Sequence, residues 1–429
     1  MKSPPQSSST AGVGGTLRNH ILQLPDDYVG SVEKRKQELW VYERGAMTRR
    51  AVTFVPGLYK IFDEILVDAA DNKQRDPAMD ALLVKIDASE GSISVYSNGG
   101  GIPVEFHQEK ALYLPEMVFG YLPTSSSGDN VDVVTEGRNC YGLTLANIFS
   151  TEFVVEIADG LRMVKYKQVF SENMGKKSDP QITVCEEGEN WIKVTFKPDL
   201  AKFNMTHLED DAIALMRKRV VDMAAILGDT VHVGLNGRRV PVTSFSRYMN
   251  QYIDSACVDR QRRLPRIFEK VNDQWELGVS LSEGKFQQVS LVNGIATFSG
   301  GTHVEYVTNQ IATFVTKHLN IKMKNTNVKV HDVKNYLWVF VNVLVDNPSF
   351  DSLTKETLVI DEGSFGSECE LSDVFLTKVF NCGVVTTRLV RNAGATRPSK
   401  GGGTEKQRRI RQSKGLSKHQ RAESSSNGG

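Results

Sequence analysis

Residues 57–77 read GLYKIFDEILVDAADNKQRDP. Leu58, Ile61, Phe62, Ile65, Leu66 and Ala69 recur at the i, i+3, i+4, i+7 spacing of one helix face, with Pro56 ahead of the run and Pro77 behind it. The spacing therefore predicts a helix over 58–72. At about 100° per residue, Glu64, Asp68 and Asp71 fall within roughly 60° of one another on the other side. Nothing basic stands four residues after Glu64, so the stripe reads as three unpaired carboxylates, which a bound cation would stabilise. For this helix alone a solvated acidic face is the alternative.

A chain of 429 residues with 40% hydrophobic content is long enough for two domains with proper cores, plus a tail. Its formal net charge of +1 hides an asymmetry: from Thr396 onward nine Lys/Arg stand against two Glu, net +7, which leaves −6 for everything before. That last stretch is Gly, Ser, Lys and Arg with almost nothing apolar and is expected to be disordered. Its KQRRIRQSK run suits a nuclear-localisation or nucleic-acid patch, and equally a merely solubilising tail. The five cysteines, Cys140, Cys185, Cys257, Cys369 and Cys382, show no CxxC or metal spacing, which fits a reducing compartment. No signal-peptide pattern opens the Ser/Gly-rich start and no apolar run approaches a membrane span, so a soluble intracellular protein without a membrane partner is expected.

Residues 1–16 read as a disordered lead, with order beginning near Leu17. Up to residue 243, short alternating segments at Ser92–Ser97, Phe153–Ala158 and Trp191–Phe196 have strand character, and Leu58–Asn72, Tyr141–Phe149 and Asp210–Leu227 have the helical period. This is an α+β sandwich pattern. A second unit over 244–395 has strands at Trp275–Leu281 and Gln287–Ile295, a helix across Val304–Leu319 and a buried-looking strand at Leu337–Val345; residues 396–429 form the tail.

Three further segments behave like parts of one site. SNGGGIPV (Ser97–Val104) follows a strand and sets Asn98 beside glycines that let a flat ligand approach the backbone, although a plain strand-to-loop turn explains it equally well. PTSSSGDN (Pro123–Asn130) presents successive hydroxyls, and GRNCYG (Gly137–Gly142) leads into a helix. Hydroxyls and amides at a helix start make a natural phosphate cradle.

In this order and spacing the segments resemble the ATPase region of eukaryotic, plant-like type IIA DNA topoisomerases, within the GHKL class of ATPases that also holds DNA gyrase B. GLYKIFDEILVDAADNKQRDP, TEGRNCYGLTLANIFSTEF, ENWIKVTFKPDLAKFNMT and FDSLTKETL carry the resemblance, which runs from about Leu17 to Val385. It implies a GHKL-type (Bergerat) ATPase sandwich at 17–243 followed by a ribosomal-S5-like α/β transducer domain at 244–395. It also implies ATP and Mg²⁺ as ligands, homodimer closure on ATP, double-stranded DNA as substrate, and a nuclear location. Glu64 takes the place of the general base that polarises the attacking water, a role a carboxylate suits. Asp68 stands where the family has an asparagine holding Mg²⁺. Asn98 matches the adenine-side residue, Thr195 sits in the adenine-side strand, and Ser125, Ser126 and Ser127 match ribose and phosphate contacts. Gly137, Arg138, Asn139, Cys140, Tyr141, Gly142, Leu143 and Thr144 align with the phosphate lid. Leu353, Thr354 and Lys355 align with the loop that reaches from the second domain to the γ-phosphate, where Lys355 would meet developing charge. Lys322 and Lys324 fall in a stretch that lines the DNA cavity in the family, or else in a solvated lysine loop.

The pattern also breaks. The family lid reads GRNGYGAK and this chain has GRNCYGLT, so Cys140 replaces a glycine and Thr144 a lysine. The γ-phosphate loop reads LTK instead of QTK, and Gly12 stands where the family's N-terminal strap has a tyrosine. Losing the hydrogen bonds of Thr144's and Leu353's counterparts would weaken ATP or its transition state by about 3–4 kcal/mol. The resemblance stops before the family's DNA-cleaving domain. Two functions are therefore expected in competition: the ATP-hydrolysing clamp of a type II topoisomerase, an isomerase, and a catalytically impaired or truncated paralogue that acts as a non-catalytic dimerisation or DNA-binding partner of a full-length topoisomerase II. A chaperone-like or histidine-kinase-like member of the class would not carry the LTK-type loop.

Overall fold

In a computed structural model the described residues are 11–122, 140–257, 263–322 and 327–382. The expected disordered lead before residue 11, the tail from Thr396, and the lid and serine positions Ser125, Ser126, Ser127, Gly137, Arg138 and Asn139 lie outside them, as does Lys324.

Helix α1 (Ala11–Gln23) begins ahead of Leu17, where the glycines predict no order. Its second half explains this. Arg18 Nε and Nη2 donate to the carbonyls of Asn173 and Glu172 at 2.5 and 2.6 Å, and Ile21 is fully buried. A docked C-terminal turn templates the turns before it, offsetting poor propensity. A hairpin, β1 (Arg35–Glu43) and β2 (Ala46–Phe54), follows and leads through Pro56, at the first helical position, into α2 (Pro56–Arg75).

The large sheet contains β3 (Ala81–Asp87), β4 (Ser92–Asn98), β5 (Ser150–Asp159), β6 (Val164–Ser171), β7 (Gln181–Val184), β8 (Asn190–Pro198) and β9 (His232–Leu235) in the spatial order β7-β6-β5-β8-β4-β3-β9. Neighbours run antiparallel except the parallel pair β3 and β9. Period-2 alternation decides which side is covered. Leu82, Val84, Ile93, Val95, Val155, Ile157, Ile192, Val194 and Phe196 turn inward and are buried. They meet α2, α3 (Leu114–Gly120), α4 (Cys140–Ile148) and α5 (Asp210–Leu227) in one core. The other face is open and carries ion pairs such as Lys193–Glu156 at 3.0 Å and Lys165–Glu189 at 2.8 Å.

The expected division at residue 244 falls just before α6 (Phe245–Cys257), whose Phe245, Tyr248, Met249, Tyr252 and Ile253 join the first core. The second sheet, β10 (Ile267–Lys270), β11 (Trp275–Leu281), β12 (Gln287–Val292) and β13 (Leu337–Val343), runs β10-β11-β13-β12, with Ile295–Ala296 bonded to β12. The reading of one strand over Gln287–Ile295 is corrected here. Asn293 (φ 47°) and Gly294 (φ 78°) form a two-residue turn with both residues left-handed, so β12 stops at Val292. Strand β13 is apolar on both faces because both are covered. Leu337, Val339, Val341 and Val343 pack into a second core beneath α7 (Thr302–Lys322), while Trp338 and Phe340 turn into the first. Beyond lie α8 (Val330–Lys334) and α9 (Asp373–Asn381). Among the described residues no helix is long and apolar enough to cross a membrane.

Candidate active site

Helix α2 positions the site because its two faces have different employers. Leu58, Ile61, Phe62, Ile65 and Leu66 are at most 2% exposed, burying the apolar stripe in the sheet core. The remaining face carries Glu64, Asp68 and Asp71 into a cleft of about 1090 Å³, whose far wall belongs to the second unit through Asn293, Asp346 and Lys355. Three acids on one stripe were expected to be unpaired, and the structure corrects this. Lys60, four residues before Glu64, bonds its Oε1, and Lys355 Nζ stands 3.8 Å from the same oxygen. Arg75 Nη2 donates to Asp68 Oδ1 at 3.3 Å. The cations come from one turn earlier, two turns later and a distant loop, none of which the i+4 position tests. Asp71 is the strained member: burial, with Asp68 beside it, pushes its carboxyl up to about 6.

Lys355 reaches the cleft from a loop held in an unusual shape. Its φ is 57°, the left-handed region a lysine seldom adopts, and such backbone persists only where surroundings impose it. The imposing contacts are visible. Asp351 Oδ1 accepts from Thr357 N at 3.0 Å, and Ser352 O from Lys355 N at 3.0 Å. Glu356 Oε1 accepts from Thr354 at 2.9 Å and from Arg35 of β1 at 3.0 Å, pinning the loop to the first unit. Of the three LTK residues only Lys355 faces Glu64; Leu353 is 44% exposed, and Thr354 packs against Gly30.

Helix α4 brings the lid segment's end to the same carboxylate. A Cβ at Gly142 would collide with Glu64, so glycine is required there for the acid and the helix start to meet. Tyr141 lies beside the ring of Tyr28 at 6.5 Å. Thr144 is buried and donates to Val118 O at 3.2 Å, a packing role facing away from the cleft. Cys140 opens the helix.

Next to the cleft, between α2 and the sheet, Asp68, Asn72, Ser97, Leu143 and Ile192 surround a slot of about 10 Å³. Asn72 donates to the Asn98 carbonyl at 3.1 Å, and its own Oδ1 is buried without a partner. Leu143 (2% exposed) and Ile192 (7%) line the same slot.

Two expected site residues have side chains bonded to other groups. Asn98 commits its side chain elsewhere: its Oδ1 accepts from Asp80 N and Ala81 N at 3.0 and 2.8 Å, and its Nδ2 donates to Asp80 Oδ1 at 2.7 Å. Thr195 does lie on the expected strand, but it bonds Ser94 at 3.0 Å on the face opposite Ile192 and Val194. In both cases the reason is strand alternation, which turns Ser97 and Ile192 inward. Applied to Ser92–Ser97 and Trp191–Phe196, it would have found Ser97 and Ile192 from sequence. Asn72, one residue past Asp71 on the same helix, carried a signal too. Lys322 ends α7, its ammonium 5.7 Å from the Phe380 ring.

A carboxylate and a lysine from two units thus meet across one cleft, with a helix start against the acid. The solved ATPase region of Saccharomyces cerevisiae topoisomerase II is 42% identical, covering 91% of this chain and 98% of that one, with a TM-score of 0.78. The chain belongs to the ATPase region of the type II DNA topoisomerases. The ATPase and transducer domains of the Balamuthia mandrillaris enzyme agree at 40% identity, 92% and 99% coverage and a TM-score of 0.78. DNA topoisomerase 2 of Arabidopsis thaliana is 59% identical over 90% of the chain, which spans 27% of that topoisomerase's length. The DNA gyrase B family model matches residues 244–393. The sandwich with its second α/β unit is thus the GHKL architecture of topoisomerase II, an isomerase family.

Proposed function

We propose that this chain is the ATP-operated clamp of a type II DNA topoisomerase, closing with ATP and Mg²⁺ bound. The observation that carries the reading is the 3.8 Å approach of Lys355 to Glu64 across the cleft. In the proposed reaction Glu64 accepts a proton from a water as its oxygen bonds the γ-phosphorus, and the bond to the β,γ-bridging oxygen breaks to release ADP. Lys355 offsets charge on the γ-phosphoryl oxygens, and Lys60 holds Glu64 in place. Because Lys355 rides on the second unit, nucleotide occupancy ties the two units together.

Asp68 and Asp71 fit Mg²⁺. They are hard oxygen donors at the cleft wall, and Asp71's carboxyl is raised first by burial and next by the charge of Asp68, the second of which a cation would relieve. Among the described residues no group of three or more His, Cys, Asp or Glu is arranged to hold a metal. One or two carboxylates suffice when phosphates complete the shell. When bound, the ion would neutralise phosphate charge. Closure would be as a homodimer, or a heterodimer with a full-length topoisomerase II, around double-stranded DNA. Lys322, Lys324 and the basic tail would supply salt-dependent phosphate contacts, and the tail would direct the chain to the nucleus.

The alternative, a non-catalytic partner, would rest on Leu143, which lines the slot beside Asn72 where the family segment GRNGYGAK has alanine. Steady-state ATPase measured beside Glu64→Gln decides. A rate lost in the variant supports the clamp, and a negligible rate in both supports the partner.

A further inference from the structure

Helix α2 has a third flank, beside its core stripe and away from the cleft, and that flank carries an ion pair. Asp63, one residue before Glu64, accepts from Arg219 Nε of α5 at 2.5 Å, and Arg219 is fully buried. Nη1 and Nη2 of the same guanidinium are buried without a hydrogen-bond partner, so its bonding rests on Asp63. Three residues on in α5, Asp222 accepts from Lys218 at 2.9 Å and from Tyr248 of α6 at 2.6 Å. The Tyr248 and Tyr252 hydroxyls share a further bond of 2.7 Å. Lys218, Asp222, Tyr248 and Tyr252 are at most 3% exposed. Two cations and two carboxylates thus balance between α2, α5 and α6, and Arg219 sits in a frame that reaches the start of the second unit.

Stability does not account for the pair. A buried ion pair is on balance no better than apolar side chains of the same volume, and unbonded guanidinium N–H groups add a cost. What the pair supplies is direction. An apolar side chain packs against any neighbour of fitting shape, whereas Arg219 Nε and Asp63 meet at one rotation of α2 about its axis. Residues 63 and 64 stand about 100° apart on the helix and turn together. With side-chain ends about 5–6 Å from the axis, a turn of roughly 20° would carry the Glu64 carboxylate about 2 Å. That is half its present 3.8 Å separation from Lys355 Nζ. A reacting group displaced by about 1 Å can lose on the order of 10² in rate.

We infer that Arg219 is a positioning residue for Glu64, acting through Asp63 to set the rotation of α2 that aims the carboxylate. This role rests on the clamp reading, in which Glu64 activates water.

Removing one partner alone leaves a buried charge and threatens the fold, so both are exchanged together. In the full chain, Asp63→Leu combined with Arg219→Met fills the space with apolar groups and is expected to melt no lower than the parent. Its kcat for ATP is expected to fall by about tenfold to a hundredfold. KM and the affinity for a non-hydrolysable analogue are expected to stay within about threefold, because only the aim of the base is lost. Glu64→Gln is measured in the same assay. A parent rate that Glu64→Gln leaves unchanged sinks the clamp reading and this role with it. A parent rate that depends on Glu64 and persists in the double variant overturns the role of Arg219 alone. So does a loss of kcat matched by an equal loss of affinity or by a lower melting temperature, which would mark a merely structural pair.

Discussion

The cleft at Glu64 and the slot at Asn72 share one helix and differ in state. The cleft is roomy, about 1090 Å³, and its groups are charged and paired. The slot holds about 10 Å³ and is lined by aliphatic side chains and by Asn72, whose amide oxygen has no partner. In the proposed reading the cleft takes the phosphate end of a nucleotide and the slot is the place for its flat ring. Charge placement survives substitution because salt partners converge from several elements, whereas shape is lost with a single added isobutyl group.

The largest expected effect tests the open half. Glu64→Gln keeps size and removes the proton acceptor, so steady-state ATPase should fall by about 10²- to 10⁴-fold, the usual weight of a general base. Binding of a non-hydrolysable ATP analogue should change little, and a comparable loss of binding would mean that Glu64 holds the ligand instead of activating water.

Next comes the closed half. Moving Leu143 out of the slot exposes a buried leucine, about 1.5–3 kcal/mol of lost burial that nucleotide binding must offset. Leu143→Ala should therefore tighten analogue binding by about tenfold to a hundredfold at 1.4 kcal/mol per decade. The same change should lower the melting temperature, because burial is lost from the core. Calorimetry on the variant reads both; unchanged affinity would move the ring site elsewhere.

How much of this was legible in the chain depends on the range of the interaction. The core face of α2 and the bounds of α5 and β11 follow from periodicity alone, since burial has no alternative for those residues. The Asn293–Gly294 turn was also written locally, in an Asn-Gly pair between apolar residues, and was read through as strand. Glu64 and Lys355 were recognised through the resemblance, but their closeness was not readable from spacing, because the loop that carries Lys355 is shaped by Asp351 and by Arg35 of another unit. Asn98 and Thr195 were placed on the strands where they lie, but the partners of their side chains, Asp80 and Ser94, were not readable without the alternation of a period of two.

A smaller effect follows from Asp71. Its folded carboxyl titrates at about 6 against an ordinary 3.8. The unfolded chain thus gives up this proton first, and the group's contribution to stability is full below pH 3.8 and lost as pH rises through 6. Asp71→Asn removes that loss, on the order of 3 kcal/mol at pH 7 from a shift of this size. Thermal melts at pH 4 and pH 7 should show the variant gaining over the parent only at pH 7. A gain that is equal at both would assign the effect to packing. Added Mg²⁺ with an ATP analogue should shrink the difference, because the ion relieves the same charge.

The smallest expected effect is the sharpest test of sheet facing. Thr195 bonds Ser94 on the open side of the large sheet, among residues paired with one another, while Ile192 and Val194 of the same strand face the slot. Thr195→Val keeps the β-branched shape and removes one neutral hydrogen bond, worth about 1 kcal/mol. Stability should fall by no more than that, and analogue affinity should stay within twofold, because nothing on the slot side has moved. A tenfold loss of affinity would put the ring on the open face and undo the contrast between cleft and slot, since Leu143 would then be lining a space no ligand uses.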